Sequence, residues 1–176
     1  MTIDLNIFQF LYGATGQYAI LDWFFVFLAS YLGPLLFIGA IVVIARNKQR
    51  FYFFSLTVLG LLLARGLMVE AIRFFYYRAR PFVDLNIAPL ISHDYTASFP
   101  SGHASFYFAL ALSIWYLNRR QGTWFLVAAG LIGLARIIIG VHWPSDIVMG
   151  AITGLVSVFI IQYLLPDKAS FNRQPD

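Results

Sequence analysis

Apolar residues in this chain run in blocks too long to be one face of a soluble helix, and short polar clusters separate the blocks. Four of them, Phe51 to Ile72, His103 to Leu117, Thr123 to Val141 and Asp146 to Leu165, reach or approach the roughly 20 helical residues that cross a hydrocarbon core of about 30 Å. The second is short and must extend at one end or tilt. Ahead of them lies an apolar stretch from Tyr18 to Ala45, interrupted by Gly33-Pro34, a dipeptide that bends or ends a helix. It is either one kinked crossing or two short helices. The segment Ile3 to Tyr12 mixes apolar and polar positions, is too brief to span and reads as an interfacial helix. The pattern predicts an all-α polytopic membrane bundle of about six helices, with five or six crossings, built as a single domain over residues 1–176.

Composition agrees with the pattern. Of 176 residues, 60% are hydrophobic and only 11% charged, against about 25% charged in soluble globular chains. The absence of cysteine excludes disulfides, thiolate nucleophiles and cysteine metal sites. A net charge of +4 does not point to nucleic acid, because the twelve Lys and Arg come in short groups between apolar blocks, where topology and anionic headgroups account for them. The first 17 residues hold no Lys or Arg, so no cleavable secretory signal is expected. Arg46, Lys48 and Arg50 share one loop, Arg119 and Arg120 another, and Lys168 and Arg173 the tail. Counting crossings, these three segments share one face, which the positive-inside rule makes cytoplasmic. The opposite face, carrying Arg73 to Phe99 and Gly140 to Ser145, is then periplasmic or extracellular, and the side of the N-terminus stays open.

Ionisable groups beside a lipid span cost about 2.5–3.5 kcal/mol each at mid-helix, so their positions carry information. Most gather at the outer face: Arg73, Arg78 and Arg80 close one span, Ser101, Gly102 and His103 open the next, Arg136 ends another, and His142 and Asp146 bracket the last turn. Arginine is a planar, permanently charged donor suited to bidentate phosphate binding, so Arg73, Arg80 and Arg136 at one depth form an anion site. Pro100 and Gly102 precede a helix whose free amides and dipole point at the same space, and the Ser101 hydroxyl adds a donor. His142 and Asp146 stand four apart with Pro144 between them, so the carboxylate can accept from one imidazole nitrogen and leave the other as a lone pair.

The order Arg73, six residues, Arg80-Pro81, then Pro100-Ser101-Gly102-His103, then Arg136, five residues, His142, three residues, Asp146 resembles the type 2 phosphatidic acid phosphatase superfamily of membrane lipid phosphatases, with soluble vanadium haloperoxidases as distant members. The likeness spans residues 73 to 146 and implies the family's acid phosphatase/vanadium haloperoxidase-like helical core. Two positions depart from the family pattern: Arg73 stands where Lys is usual, and Ala135 stands where Ser usually precedes the arginine. The resemblance and the residue chemistry together imply that His142 attacks phosphorus, Asp146 orients it, and His103 protonates the departing oxygen. Arg73, Arg80, Arg136, Ser101 and the Gly102 amide would hold the phosphoryl oxygens. No metal or other cofactor is implied. The substrate class is a membrane lipid phosphate or diphosphate, most closely that of bacterial undecaprenyl-diphosphate phosphatases in the cytoplasmic membrane, with phosphatidylglycerophosphate or lipid A phosphatases, a lipid phosphotransferase and a non-enzymatic lipid-phosphate binding or transport module as alternatives.

Several other polar residues have plainer readings. Arg78 fits no motif and reads as a snorkelling anchor. His93 reads as structural. Arg65 and Glu70 lie inside an apolar block and read as an ion pair, with Glu70 also placed one turn from Arg73 to hold it. Asp22 marks an interface, Asp84 and Asp94 lie in the outer segment and either shape the entrance or belong to a solvated loop, and the aromatic run Phe74 to Tyr77 reads as an interfacial belt.

Overall fold

The computed structural model describes residues 2–166, and every regular element among them is a helix. Helices α1 (Thr2–Tyr12), α2 (Ala19–Ser30) and α3 (Leu32–Ala45) are followed by α4 (Arg50–Leu61), which passes through a π-helical stretch, Leu62–Met68, into α5 (Val69–Phe75). These last three pieces make one rod of 26 residues, Arg50–Phe75. A short α6 (Pro81–Asp84) interrupts the long segment leading to α7 (Gly102–Leu117), and α8 (Arg119–Ile138) and α9 (Pro144–Leu164) complete the bundle. Lys168 and Arg173, read above as part of a cytoplasmic tail, lie outside the described residues.

The break in the first apolar stretch falls at Tyr31, and α2 and α3 are bent there by 41°. Pro34 sits in the first turn of α3, where it has no N–H to bond back across the break. Phe8 of α1 packs on Trp143 with ring centroids 5.1 Å apart, and Asp4 Oδ1 accepts from the Ser145 N–H at 2.9 Å. Helix α1 therefore lies on the face that carries the His142 turn. Among the described residues the Arg50–Phe75 rod, α8 and α9 are each long and apolar enough to cross a membrane, and the bent pair α2–α3 passes the same test taken together.

Helix α8 starts at Arg119, four residues earlier than the apolar run suggests, because Asn118 Oδ1 accepts from the Gln121 N–H at 3.0 Å and caps it directly after α7. Helix α7 does not extend. Its 16 residues measure about 24 Å, short of a hydrocarbon core of about 30 Å.

Helix α7 is the centre of the bundle, packed by α8, α9, α4 and α3. Ala40, Leu56, Ala109, Leu110, Ile114 and Val158 form the core between these helices. Large apolar side chains such as Phe37, Phe54, Leu62, Trp124 and Phe159 face outward. Such a girdle is unsuited to water and is covered by lipid in an integral membrane protein. Close approach of α9 to α7 rests on two glycines one helical turn apart. A Cβ at Gly150 would lie 2.5 Å from the Ser101 carbonyl oxygen, and one at Gly154 would meet the Ser105 carbonyl and lie 2.9 Å from the Ala109 nitrogen. This small-residue contact brings the start of α9 against the start of α7, where the Ser101 N–H donates to the Asp146 carbonyl at 3.0 Å.

Gly154→Ala is expected to destabilise the bundle by about 1–3 kcal/mol through overpacking against backbone, lowering its thermal midpoint in detergent. Gly130→Ala, where a Cβ meets nothing within 4 Å, is the control, and its midpoint should stay level or rise. Equal midpoints for both variants would contradict the packing account.

Candidate active site

Five chain segments meet at the site-side end of the bundle: the end of α5, the segment 76–101, the start of α7, the end of α8 and the turn into α9. That turn has a local cause. Gly140 adopts φ +88°, a left-handed conformation that ends α8 and redirects the chain. Pro144 then opens α9 at its first position, and Asp146, in the first turn, accepts from the Trp143 N–H at 2.8 Å. His142 lies just before this cap, so its ring and the Asp146 carboxylate are adjacent: His142 Nδ1 is 3.3 Å from Asp146 Oδ2.

Asp146 has no exposed surface and is surrounded by donors. Besides Trp143 N–H and His142 Nδ1, it accepts from the Ser98 hydroxyl and, at Oδ1, from Arg78 Nη1 at 3.0 Å. The snorkelling reading of Arg78 is therefore wrong. Its guanidinium donates to Ser145 Oγ at 2.6 Å and to Asp4 Oδ2 at 2.5 Å, and lies over the Trp143 ring at 5.0 Å. Asp4 also accepts from the Ser145 hydroxyl at 2.7 Å. Partial burial would raise the Asp4 carboxyl, but its hydrogen bonds from Arg78 and Ser145 outweigh this and hold it below its ordinary value.

With Nδ1 turned to the carboxylate, His142 Nε2 is the acceptor in a 3.2 Å contact with Arg80 Nη1. Arg80 is itself held by the carbonyls of Thr96 at 3.1 Å and Val141 at 3.0 Å and by Thr96 Oγ1 at 3.2 Å. Burial, reinforced by Arg73, lowers the Arg80 guanidinium to about 10, which leaves it charged at neutral pH. Burial also drives the His142 imidazole well below 6.5, with Arg80 and Arg136 adding to the effect. His142 is thus a neutral, oriented imidazole with one lone pair, the form a nitrogen nucleophile needs.

A cavity of about 540 Å³ opens beside this ring, and all three histidines of the chain line it, with Arg65, Arg73, Arg80, Glu70, Asp94 and Gly102. The structure thus brings together His142, His103, Arg73, Arg80, Gly102 and Glu70, with Asp146 directly behind His142. Arg73 Nη2 donates to the Pro100 carbonyl at 3.1 Å while its buried Nε has no hydrogen-bond partner among the described residues. Glu70 lies 3.6 Å from Arg73 and also pairs with Arg65, so the expected contact is present.

Two expected phosphate ligands stand behind the wall. Ser101 is fully buried, and its oxygen accepts from the Ala104 N–H at 3.4 Å as the N-cap of α7. Arg136 is buried in α8 and touches the cavity through His93, whose Nε2 accepts from Arg136 Nη2 at 2.8 Å. His93 is therefore a cavity residue, its ring centroid 6.4 Å from that of His142. Burial, together with Arg80 and Arg136, lowers it to about 4. Arg78, Ser98, His93, Thr96 and Asp4 were not distinguished by the sequence, since none stands at a telling spacing from its partner. Asp94 is exposed and lines the cavity, the entrance position open to it from the sequence.

A family model for the PAP2 superfamily matches residues 52–170. The chain is 28% identical over 174 residues to the bacitracin transport permease protein BcrC of Bacillus licheniformis, covering 98% of this chain and 85% of that protein. It is 29% identical over 162 residues to the undecaprenyl-diphosphatase BcrC of Bacillus subtilis, covering 90% and 82% respectively. The crystal structure of Aquifex aeolicus LpxE superposes with a TM-score of 0.77 at 27% sequence identity, over 92% of this chain and 95% of that one.

The electrostatics predict that His142 and His93 stay neutral as the pH falls through 6.5, because burial and neighbouring guanidinium groups oppose the imidazolium. Nitrogen-15 spectra of histidine-labelled protein in detergent should show both rings uncharged at about pH 5.5, where an ordinary histidine is mostly protonated. A His142 midpoint near the ordinary value would contradict the assignment.

Proposed function

The chain belongs to the PAP2 superfamily and is a membrane lipid phosphatase, and from that premise we propose that it hydrolyses a lipid diphosphate, undecaprenyl diphosphate above others, to the lipid monophosphate and inorganic phosphate. In the first step His142 Nε2 forms a bond to the terminal phosphorus as the phosphoanhydride P–O bond breaks. His103 gives its proton to the leaving oxygen. In the second step water attacks the phosphohistidine, His103 takes the water's proton, and the P–N bond breaks to release phosphate. Asp146 holds Nδ1–H throughout and stabilises the positive charge that develops on the ring. Arg73, Arg80 and the Gly102 amide bind the equatorial oxygens, where charge is spread in the transition state. Arg136 and Ser101 act one layer back, through His93 and the α7 cap.

The observation that carries this reading is the two-sided setting of His142, with a fully hydrogen-bonded carboxylate on Nδ1 and a cation-lined cavity on Nε2. The overall likeness to a relative named undecaprenyl-diphosphatase supports the substrate. The loops holding Arg46, Lys48, Arg50, Arg119 and Arg120 lie opposite the site, which supports a bacterial cytoplasmic membrane protein with its site facing the periplasm or cell exterior. A second reading, binding or transport of a lipid phosphate without hydrolysis, is favoured by the relative named a bacitracin transport permease protein.

Purified protein in detergent with EDTA is expected to release phosphate from undecaprenyl diphosphate faster than from phosphatidylglycerophosphate. His142→Ala should lower turnover by at least about 10³-fold, and His103→Ala by about 10²–10⁴-fold. Lipid binding without phosphate release would support the transport reading, and wild-type turnover by His142→Ala would refute the nucleophile. Arg78→Gln, which leaves Asp146 short of a donor, should lower kcat by roughly tenfold or more with KM little changed; an unchanged kcat would remove Arg78 from the positioning of the His142–Asp146 pair.

A further inference from the structure

The reaction above makes no use of Arg65. This residue lies ten positions before Phe75, about 15 Å down the rod, at a depth where a cation in lipid is costly. Its partner is Glu70, yet the pair is not sealed: the two side chains are 42% and 52% exposed, and both line the cavity that contains His142. Among the described residues only Nη1 of Arg65 makes a hydrogen bond, to Glu70. The Nε edge faces the start of α7, where a Cβ at Gly102 would lie 2.6 Å from it. The backbone at this point is π-helical over Leu62–Met68, a local rewinding frequently found at functional sites.

The contacts along the cavity put its lining in order. His142, Arg80 and His93 are grouped at one end. Gly102 and His103 follow, the His103 ring 6.3 Å from that of Tyr107, and Arg65 abuts Gly102. Phe106 lines this cavity and also a second, almost wholly apolar groove of about 640 Å³ between α3, α4 and α7, whose walls include Phe37, Ile41, Phe54 and Leu110. A lipid diphosphate with its terminal phosphorus at His142 and its bridging oxygen at His103 has its second phosphate next, and then its tail. The apolar groove beyond Phe106 suits the tail. The second phosphate then falls beside Arg65, whose charged guanidinium keeps Nη2 without a hydrogen-bond partner among the described residues and suits a phosphate oxygen.

We infer that Arg65 binds the lipid-side phosphate of a diphosphate substrate and so sets a preference for diphosphates over monophosphates. The inference rests on the phosphatase reading. Glu70, bonded to Nη1, and Gly102, packed on the Nε side, fix the guanidinium plane and leave Nη2 for the phosphate.

Two substrates that share one tail, farnesyl diphosphate and farnesyl monophosphate, separate this role from a general one. Wild-type protein is expected to release phosphate from both, with the higher kcat/KM on the diphosphate. Arg65→Gln should lower the diphosphate-to-monophosphate ratio of kcat/KM by about tenfold or more, and the turnover it retains on the monophosphate reports that the variant is folded. Equal losses on both substrates, or none on either, would overturn the assignment. Arg65→Lys keeps the charge without the planar fork. Its diphosphate-to-monophosphate ratio must also fall, and an unchanged ratio overturns the assignment even if Arg65→Gln does not fold. If wild-type protein cleaves neither compound nor undecaprenyl diphosphate, the phosphatase reading itself fails; hydrolysis with an unaltered ratio in the variants removes only the role of Arg65.

Discussion

A carboxylate with no exposed surface, Asp146, is the constraint around which the site is organised. Taking such an ion from water costs several kcal/mol unless donors surround it. Here the donors come from the segment 76–101, through Ser98 and Arg78, and from the α9 cap and its preceding turn, through Trp143 and His142. Arg78 in turn needs an anion of its own and finds it in Asp4 of α1. One buried charge thereby ties the N-terminal helix, the long outer segment and the last turn together. The loss of any one donor leaves the others with an under-satisfied ion, so the fold of these loops and the orientation of His142 are a single problem.

The bundle beneath supplies rigidity and depth. Gly150 and Gly154 let α9 press against the first turns of α7, which fixes Asp146 relative to Gly102 and His103. The cavity beside those residues extends along the Arg50–Phe75 rod, from which Arg65 and Glu70 line it. Polar contacts hold the cations there: Glu70 bridges Arg65 and Arg73, and Arg136 meets the neutral His93 ring. The polar interior thus keeps an excess of positive charge inside a lipid-facing girdle, as a site for an anion requires.

Much of this could be read from local spacing. Hydropathy located the spans, basic clusters sorted the loops between two faces, and the four-residue interval between His142 and Asp146 announced their contact. Features that depend on distant partners were not legible. Arg78 reaches Asp146 across 68 positions and Asp4 across 74, Ser98 reaches Asp146 across 48, and His93 reaches Arg136 across 43. No periodicity links such pairs, so Arg78 looked like an anchor and His93 like a bystander. The side of the N-terminus was equally hidden, since it follows from Asp4 docking on Ser145. Ser101 and Arg136 show the converse: positions singled out by spacing whose side chains turn to a helix cap and to a neighbouring histidine.

The account stands on a covalent bond between His142 and phosphorus. Rapid quenching of the protein with lipid diphosphate carrying a radioactive terminal phosphate, followed by peptide mapping, reads that bond directly. The label is predicted on the peptide that contains His142, at a level that rises and decays on the timescale of turnover. Label on the His103 peptide, or phosphate release in a single turnover with no labelled protein at any time, would contradict the account.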